Sequence, residues 1–391
     1  MNTFTHHSPS PKPLGIYVHW PFCVSKCPYC DFNSHVVKSI DINEWTTAYM
    51  HELEFSHQQT TNHRVQTIFF GGGTPSLMPP ALMGAIIDKV MSLWTCSDTT
   101  EITFEANPTS VESEKFKAFK LAGANRVSIG IQAFNDADLK FLGRPHNLEE
   151  GIKAIELAHQ SFDRVSFDLI YARPHQSLEA WSSELSTALT YAPTHISLYQ
   201  LTIEPGTAFH TSFARGDFPL PDEHLSAELY DLTGDILGGK GFNAYEVSNY
   251  AIADEQCRHN LIYWKYDDYV GVGPGAHGRI TMDGVKYATR RHRAPSMWLD
   301  GCLKNGHGQH ELLPLSSYEE LVELMLMGLR LQEGIELGRF IDVIQKTPSD
   351  IFGSKWNNLI TEGLVSIKNE KIIPTKKGRL KLNGILDFLF V

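Results

Sequence analysis

The chain has 391 residues, 42 % of them apolar and 20 % charged, with a formal net charge of −11. That length fits one large α/β domain with a smaller companion, and the composition is that of a folded rather than a disordered chain. The acidic balance excludes a basic nucleic-acid footprint as a property of the whole chain, and no apolar run reaches the roughly 18–20 residues of a membrane span.

Residues 1–13 are polar and proline-containing, without the apolar stretch of a secretory signal. They read as a flexible tail on a cytoplasmic protein whose membrane contact, where any exists, is peripheral. From residue 14, β-branched and aromatic runs bounded by Gly, Pro, Asn or Asp predict strands over 14–20, 65–70, 101–106, 126–132, 164–170 and 195–201. Amphipathic stretches over 43–57, 81–94, 111–122, 149–160 and 178–191 predict the helices between them. Six strands in alternation with helices imply a parallel sheet, and the period of about 30 residues points to a full or partial (β/α) barrel. The barrel is expected to occupy 14–310, although its regularity weakens beyond 250 into connections rich in Pro, Gly and His. Residues 311–391 read as a separate unit: an apolar helix over 318–331, helical pieces at 340–344 and 356–361, the two-stranded wing GLVSIKNEKIIPT, and a closing helix over 375–390. This is a winged-helix-like domain, for which the acidic chain suggests a structural or lid role.

The residues out of keeping with plain packing cluster at one end of the predicted strands. Gly71–Pro75 (GGGTP), Glu105, Gln132 and Asp168 all lie at or just beyond strand C-termini, which share one face in a parallel barrel. Glycine runs let backbone approach a ligand and free N–H groups to bind it. A carboxylate in Glu105's position needs solvent or a partner. Arg144 and Asp168 could meet as an ion pair across the barrel mouth.

Three of the six cysteines fall within eight positions, Cys23, Cys27 and Cys30, in GIYVHWPFCVSKCPYCDFN. The spacing C-x3-C-x2-C puts three thiolates on one loop directly after a strand. Such soft ligands suit an iron–sulfur cubane with one open iron, or zinc if His19 or His35 completes the set. Cys96, Cys257 and Cys302 stand apart. Cys257 opens CRHNLIYW (257–264), in which His259 could offer an imidazole to haem iron, Tyr263 and Trp264 could pack on a porphyrin face, and Asn260 could orient the imidazole or a propionate.

The string YVHWPFC…CPYCDFNS resembles the radical S-adenosylmethionine family, in the branch that holds oxygen-independent coproporphyrinogen III oxidase and a related haem chaperone. The likeness extends along almost the whole chain. It implies a partial (β/α) barrel binding a [4Fe–4S] cluster through Cys23, Cys27 and Cys30. It assigns Tyr17, Gly72 and Glu105 to a first S-adenosylmethionine, and Gly73, Thr74, Gln132, Arg144 and Asp168 to a second such molecule known in the oxidase. The oxidase pattern carries a fourth cysteine where this chain has Phe32, which places porphyrinogen oxidation in question. H-N-x-x-Y-W (259–264) resembles the haem-binding element of the chaperone. The resemblance therefore implies haem as a ligand, apo haem proteins of the respiratory chain as acceptors, an electron donor for the cluster and a homodimer. The other functions open to the chain are coproporphyrinogen dehydrogenation and radical modification of another substrate.

Overall fold

The computed structural model describes residues 11–391 apart from 38 and 192, and the side chains at 110 and 111 are not described. Most of the expected tail, residues 1–10, lies outside the described residues. The first strand, β1 (Lys12–Trp20), begins within the remainder. It is followed by β2 (His63–Gly72), β3 (Glu101–Ala106), β4 (Arg126–Gln132), β5 (Arg164–Tyr171) and β6 (His195–Gln200). Each pairs in parallel with the next, so all six carry their C-termini to one face. The predicted strands match these within two residues at either end.

Helices α1 (Ile42–Gln58), α2 (Pro80–Leu93), α3 (Phe116–Leu121), α4 (Leu148–Ser161) and α5 (Leu178–Leu189) form the crossovers. Their starts carry the chemistry expected of helix N-termini: Asp41 accepts from the Asn43 and Glu44 N–H groups, and Asn147 with Glu150 forms a reciprocal capping box. Covered by helices, the strands are apolar almost throughout. Leu14, Ile16, Val18, Ile68, Phe70, Phe104, Val127, Ile129 and Phe167 are fully enclosed. Each such side chain contributes about 1.5–3 kcal/mol of burial.

The sheet continues where the sequence pattern faded. A seventh strand, β7 (Asp268–Val272), pairs in parallel with β1 on the side away from β2. Three antiparallel strands extend it: β8 (His277–Met282), β9 (Val285–Arg291) and β10 (Gln309–Pro314). At the other end the short strands Asn249–Ala251 and Asn243–Ala244 pair antiparallel beyond β6. The order is linear, so the barrel is partial. Helix α6 (Glu223–Gly238) packs against α5, α7 (Arg258–Trp264) lies against β1, β2 and β7, and α8 (Pro295–Asn305) lies against α1.

One buried acid ties α1 to the added strands. Glu52 is fully enclosed, forms an ion pair with Arg291 (Nε–Oε1 2.9 Å), and accepts from the Gly273 and Gly308 N–H groups and the Trp298 indole. Arg291 also reaches Gln309 and Ser56. A buried charge tolerates this setting only when paired and hydrogen-bonded, as Glu52 is.

The C-terminal unit has its own core, including Leu324, Met325, Phe340, Trp356, Ile372 and Leu386. It contains α9 (Ser317–Gly328), α10 (Leu337–Ile344), α11 (Ser354–Thr361), β11 (Val365–Lys368), β12 (Lys371–Pro374) and α12 (Leu382–Phe390). The expected two-stranded wing is a three-stranded sheet, because Ile335–Glu336 pairs antiparallel with β12. That third strand is two residues long, too short to announce itself in a sequence pattern.

Candidate functional site

At the C-terminal face of β1 to β5 a cleft of about 150 Å³ gathers the expected cofactor residues. Cys23, Cys27 and Cys30 line one side of it, and Gly72, Gly73 and Thr74 another. Glu105, Gln132, Arg144 and Asp168 complete the floor and far wall. Tyr17 alone of that set faces elsewhere; it lines a second cleft described below, with its hydroxyl 3.1 Å from His19 Nδ1.

Local backbone explains why these positions carry the residues they do. Gly72 has φ 115°, and a Cβ there would stand 2.6 Å from the His19 ring. At Gly73 a Cβ would stand 2.8 Å from the Phe22 carbonyl oxygen, so the chain crosses the cluster loop with no room for a side chain. Gln132 has φ 72°, in the left-handed region, where the β4–β5 register shifts. Such bulges re-aim side chains near functional sites, and here Gln132 is turned into the cleft.

The thiols are held by partners from the barrel. Thr74 Oγ1 donates to Cys23 Sγ at 3.3 Å, and Arg144 Nη1 donates to Cys27 Sγ at 3.3 Å and to the Tyr29 hydroxyl at 3.4 Å. Arg144 Nη2 donates to Asn107 Oδ1 at 2.6 Å and to the Gly130 carbonyl at 2.9 Å. Asn107 in turn donates to Thr74 Oγ1 at 3.3 Å, closing a ring of polar contacts round the loop. The alternative of an Arg144–Asp168 ion pair is not what forms: Arg144 turns to the cluster loop, and Asp168 accepts from Ser128 at 3.2 Å. Sequence reasoning missed Asn107. Asn107 precedes a proline at a strand end, the one local signal that could have marked it.

This donor set fits an iron–sulfur cluster. The three thiols are half-buried, two of them, Cys23 and Cys27, are met by hydrogen-bond donors of the kind that orient and tune metal-bound sulfur, and Arg144 Nε is buried without a partner among the described residues. Burial raises the Cys23 and Cys30 thiols above their ordinary range, a cost that iron ligation removes by deprotonating them. Among the described residues no three of His, Cys, Asp and Glu converge on the position of a single metal ion; a cubane, whose irons are spread apart, needs no such convergence. Glu105, half-buried on the floor, is pushed up to about 8 by burial and then by Asp168, against a hydrogen bond from the Gly72 N–H. Burial likewise raises the Asp168 carboxyl. The floor thus presents carboxyls that a cationic ligand would return to their charged form.

The H-N-x-x-Y-W element is placed differently from expectation. His259 lies inside the barrel, 1 % exposed, with Nδ1 2.7 Å from Thr67 Oγ1 and Nε2 2.7 Å from the Tyr263 hydroxyl. It stacks on Phe69, and burial lowers its pKa to about 3. Both ring nitrogens are engaged and the ring is neutral, so in this conformation His259 is not open to haem iron. The cause is α7, whose first N–H groups, Arg258 and His259, bond the buried Glu101 carboxylate and turn the histidine inward. Asn260 donates to the Tyr245 hydroxyl at 3.2 Å, and Trp264 lies on the opposite side, under Arg330. Tyr263 alone of the four reaches the second cleft.

That second cleft, about 790 Å³, opens on the other side of the cluster loop, between it and the β8–β10 strands. Phe32, 58 % exposed, borders both cavities. Asn33 is the seam: it donates to the Pro274 and Arg293 carbonyls, both at 3.0 Å, and its own carbonyl is 2.9 Å from His19 Nε2. No helix among the described residues is long and apolar enough to cross a membrane.

Comparison with known proteins agrees with this architecture. Residues 17–184 match the Radical SAM superfamily and residues 315–380 the HemN C-terminal domain. The chain is 35 % identical to the haem chaperone HemW of Escherichia coli over 383 residues, covering 96 % of this chain and 97 % of that protein. It is equally 35 % identical to the mitochondrial radical S-adenosyl methionine domain-containing protein 1 of Bos taurus over 387 residues, 97 % of this chain and 88 % of the relative. Among solved structures, the coproporphyrinogen III oxidase HemN of Escherichia coli superposes with a TM-score of 0.80 at 20 % identity, covering 97 % of this chain and 90 % of that one, which is a likeness of fold. Membership implies S-adenosylmethionine and a [4Fe–4S] cluster as cofactors. The chain belongs to the radical S-adenosylmethionine superfamily, in the family of HemW and its mitochondrial counterparts.

Proposed function

We propose that this protein is a haem chaperone: it binds haem and passes it to apo haem proteins, those of the respiratory chain first, under control of its cluster and S-adenosylmethionine. The observation that carries the reading is Phe32. The first cleft assembles the cofactor set almost entire, yet the position of the oxidase's fourth thiol holds an exposed aromatic ring that can neither ligate iron nor move a proton. The relatives that this chain matches over nearly its full length include proteins named as haem chaperones, which supports the same reading.

In this mechanism Cys23, Cys27 and Cys30 hold the cluster. Gly72, Gly73 and Thr74 present backbone and a hydroxyl to S-adenosylmethionine, and Glu105 faces its cationic part, with Gln132, Arg144 and Asp168 on the far wall. The cluster and S-adenosylmethionine together supply one-electron chemistry when bound. Arg144 couples the two by touching the Cys27 sulfur and the Asn107 side chain at once. Tyr17 acts from the other side of the strand, through His19, and H-N-x-x-Y-W contributes to haem through Tyr263. An external electron donor, a peripheral contact with the membrane that holds the acceptors, and a homodimer belong to the same proposal. All six cysteines are unpaired, in keeping with a reducing compartment such as the cytoplasm.

The test is anaerobic reconstitution of the cluster, then haem titration and a coproporphyrinogen assay on one sample. A saturable Soret shift without porphyrinogen turnover is expected. Turnover with stoichiometric methionine release would establish the dehydrogenase instead, and a featureless titration would remove the haem reading.

A further inference from the structure

We infer that the C-terminal unit docks on a membrane surface carrying anionic phospholipids, through a cationic face of Lys376, Lys377, Arg379 and Lys381 with Leu380 and Phe388 set among them. This rests on the peripheral contact named above and gives it a surface and a lipid class. Charge is unevenly placed along the chain. Residues 351–391 hold seven Lys or Arg against three Asp or Glu, whereas the whole chain has a formal net charge of −11. A basic end on an acidic body is drawn to a negative lipid surface by that end.

The face is built on the helical turn Lys376–Arg379 and the start of α12. Lys376 and Lys377 are exposed. Their carboxylate partners, Asp231 at 3.2 Å and Glu362 at 3.9 Å, are exposed as well, and such surface pairs hold a cation only weakly. The Lys381 ammonium has no hydrogen bond or ion pair among the described residues. Arg379 and Lys381 line a cleft of about 740 Å³ between α6 and the C-terminal unit, and Arg330 lines it too. The Arg330 guanidinium makes no hydrogen bond among the described residues and lies 5.7 Å from the Trp264 ring. Three cations against one carboxylate, Glu223, suit this cleft to a phosphate headgroup.

Apolar side chains complete the surface. Leu380, 49 % exposed, lines the same cleft. Phe388, 42 % exposed, lies two helical turns beyond Lys381 on the same side of α12, with Lys355 Nζ 5.7 Å from its ring. Lysines around exposed Leu and Phe are the composition of a face that enters the headgroup layer. Nucleic acid is the other anionic surface that a winged domain could meet, and the wing argues against it. Lys371 is held between Glu333 at 2.9 Å and Glu336 at 2.8 Å, and Glu370 stands in the turn between β11 and β12. A wing neutralised in this way offers little to a phosphate backbone.

The experiment measures co-sedimentation of reconstituted full-length protein with vesicles of phosphatidylcholine, with and without phosphatidylglycerol. It is run at about 0.1 M and about 1 M salt, between which the screening length falls from about 10 Å to about 3 Å. Binding is expected to the anionic vesicles and to be lost at the higher salt. Lys376→Gln/Lys377→Gln/Lys381→Gln should lose at least about tenfold at the lower salt, because each cation near such a surface is worth about fivefold. Leu380→Ser/Phe388→Ser should lose about threefold or more. Both variants should keep the cluster absorption and haem titration of the unsubstituted protein, which reports that they are folded. If the lysine variant binds anionic vesicles undiminished, the face assigned here is wrong and the peripheral contact stands. If no vesicle is bound while haem still titrates, the face and the peripheral contact both fall and the haem reading stands. Vesicle binding with a featureless haem titration would leave this face standing and remove the haem reading. Salt-sensitive binding of duplex DNA or RNA, lost in the lysine variant and without vesicle binding, would give the face to nucleic acid instead.

Discussion

Glu105→Gln gives the sharpest test of the first cleft. With the carboxyl near 8, about nine-tenths of the molecules carry a protonated Glu105 at pH 7. Ionising it there costs about 1.4 kcal/mol. A cofactor bearing a sulfonium and an ammonium group favours the carboxylate, so binding should release a proton and tighten as pH rises. The raised value fixes the sign and the window: about ninefold tighter from pH 6 to 7, about fivefold from 7 to 8, and less than twofold above 8. The Gln variant should lack this slope and should bind about 1.5–3 kcal/mol more weakly at pH 9, where it lacks the charge-assisted hydrogen bond. Anaerobic calorimetry of S-adenosylmethionine binding, in buffers of different ionisation enthalpy, measures both quantities. The cofactor's own amino group contributes equally to the two proteins, so the difference isolates Glu105: about 0.9 proton at pH 7. Equal proton release and parallel pH profiles would falsify the placement of Glu105 against the cationic group.

Three further outcomes are expected. Alanine at any one of Cys23, Cys27 or Cys30 should reduce iron after anaerobic reconstitution from about four atoms per chain to near none, by iron and sulfide analysis. Gly72→Ala, forced into positive φ against the His19 ring, should lower stability by about 1–3 kcal/mol in thermal melts and weaken S-adenosylmethionine binding. Glu52→Gln leaves Arg291 charged and buried without its partner and should cost about 3–5 kcal/mol in urea unfolding, whereas Asp300→Asn, at the exposed Lys304 pair, should change it by less than about 1 kcal/mol.

The parallel core was legible because each strand is a short apolar run closed by turn residues, and because crossover helices fix the order of neighbours. That these residues share one cleft was legible for the same reason: once Gly72, Glu105, Gln132 and Asp168 are assigned to strand ends, the barrel brings them together. What escaped was carried by partners far apart in sequence. His292 and His310 were visible only as part of a histidine-rich connection; the stacking of their rings depends on the β9–β10 register, which no local pattern announces. The placement of His259 was hidden for a related reason. Its motif reads as a ligand, but Glu101, over 150 residues earlier, captures the start of α7 and points the ring inward.

The position of β7 has a consequence for how the protein is made. β1 lies between β2 and a strand that begins at Asp268, so its second edge stays open until most of the chain has left the ribosome. At about 5–20 residues per second, the interval between Trp20 and Val272 is roughly 13–50 s. Throughout it Gly273 and Pro274 are absent, and with them the backbone that Asn33 grips. The cysteine loop therefore emerges early and is locked late, and a carrier delivering iron and sulfide has the whole of that interval to reach three thiols on a loop whose far support does not yet exist.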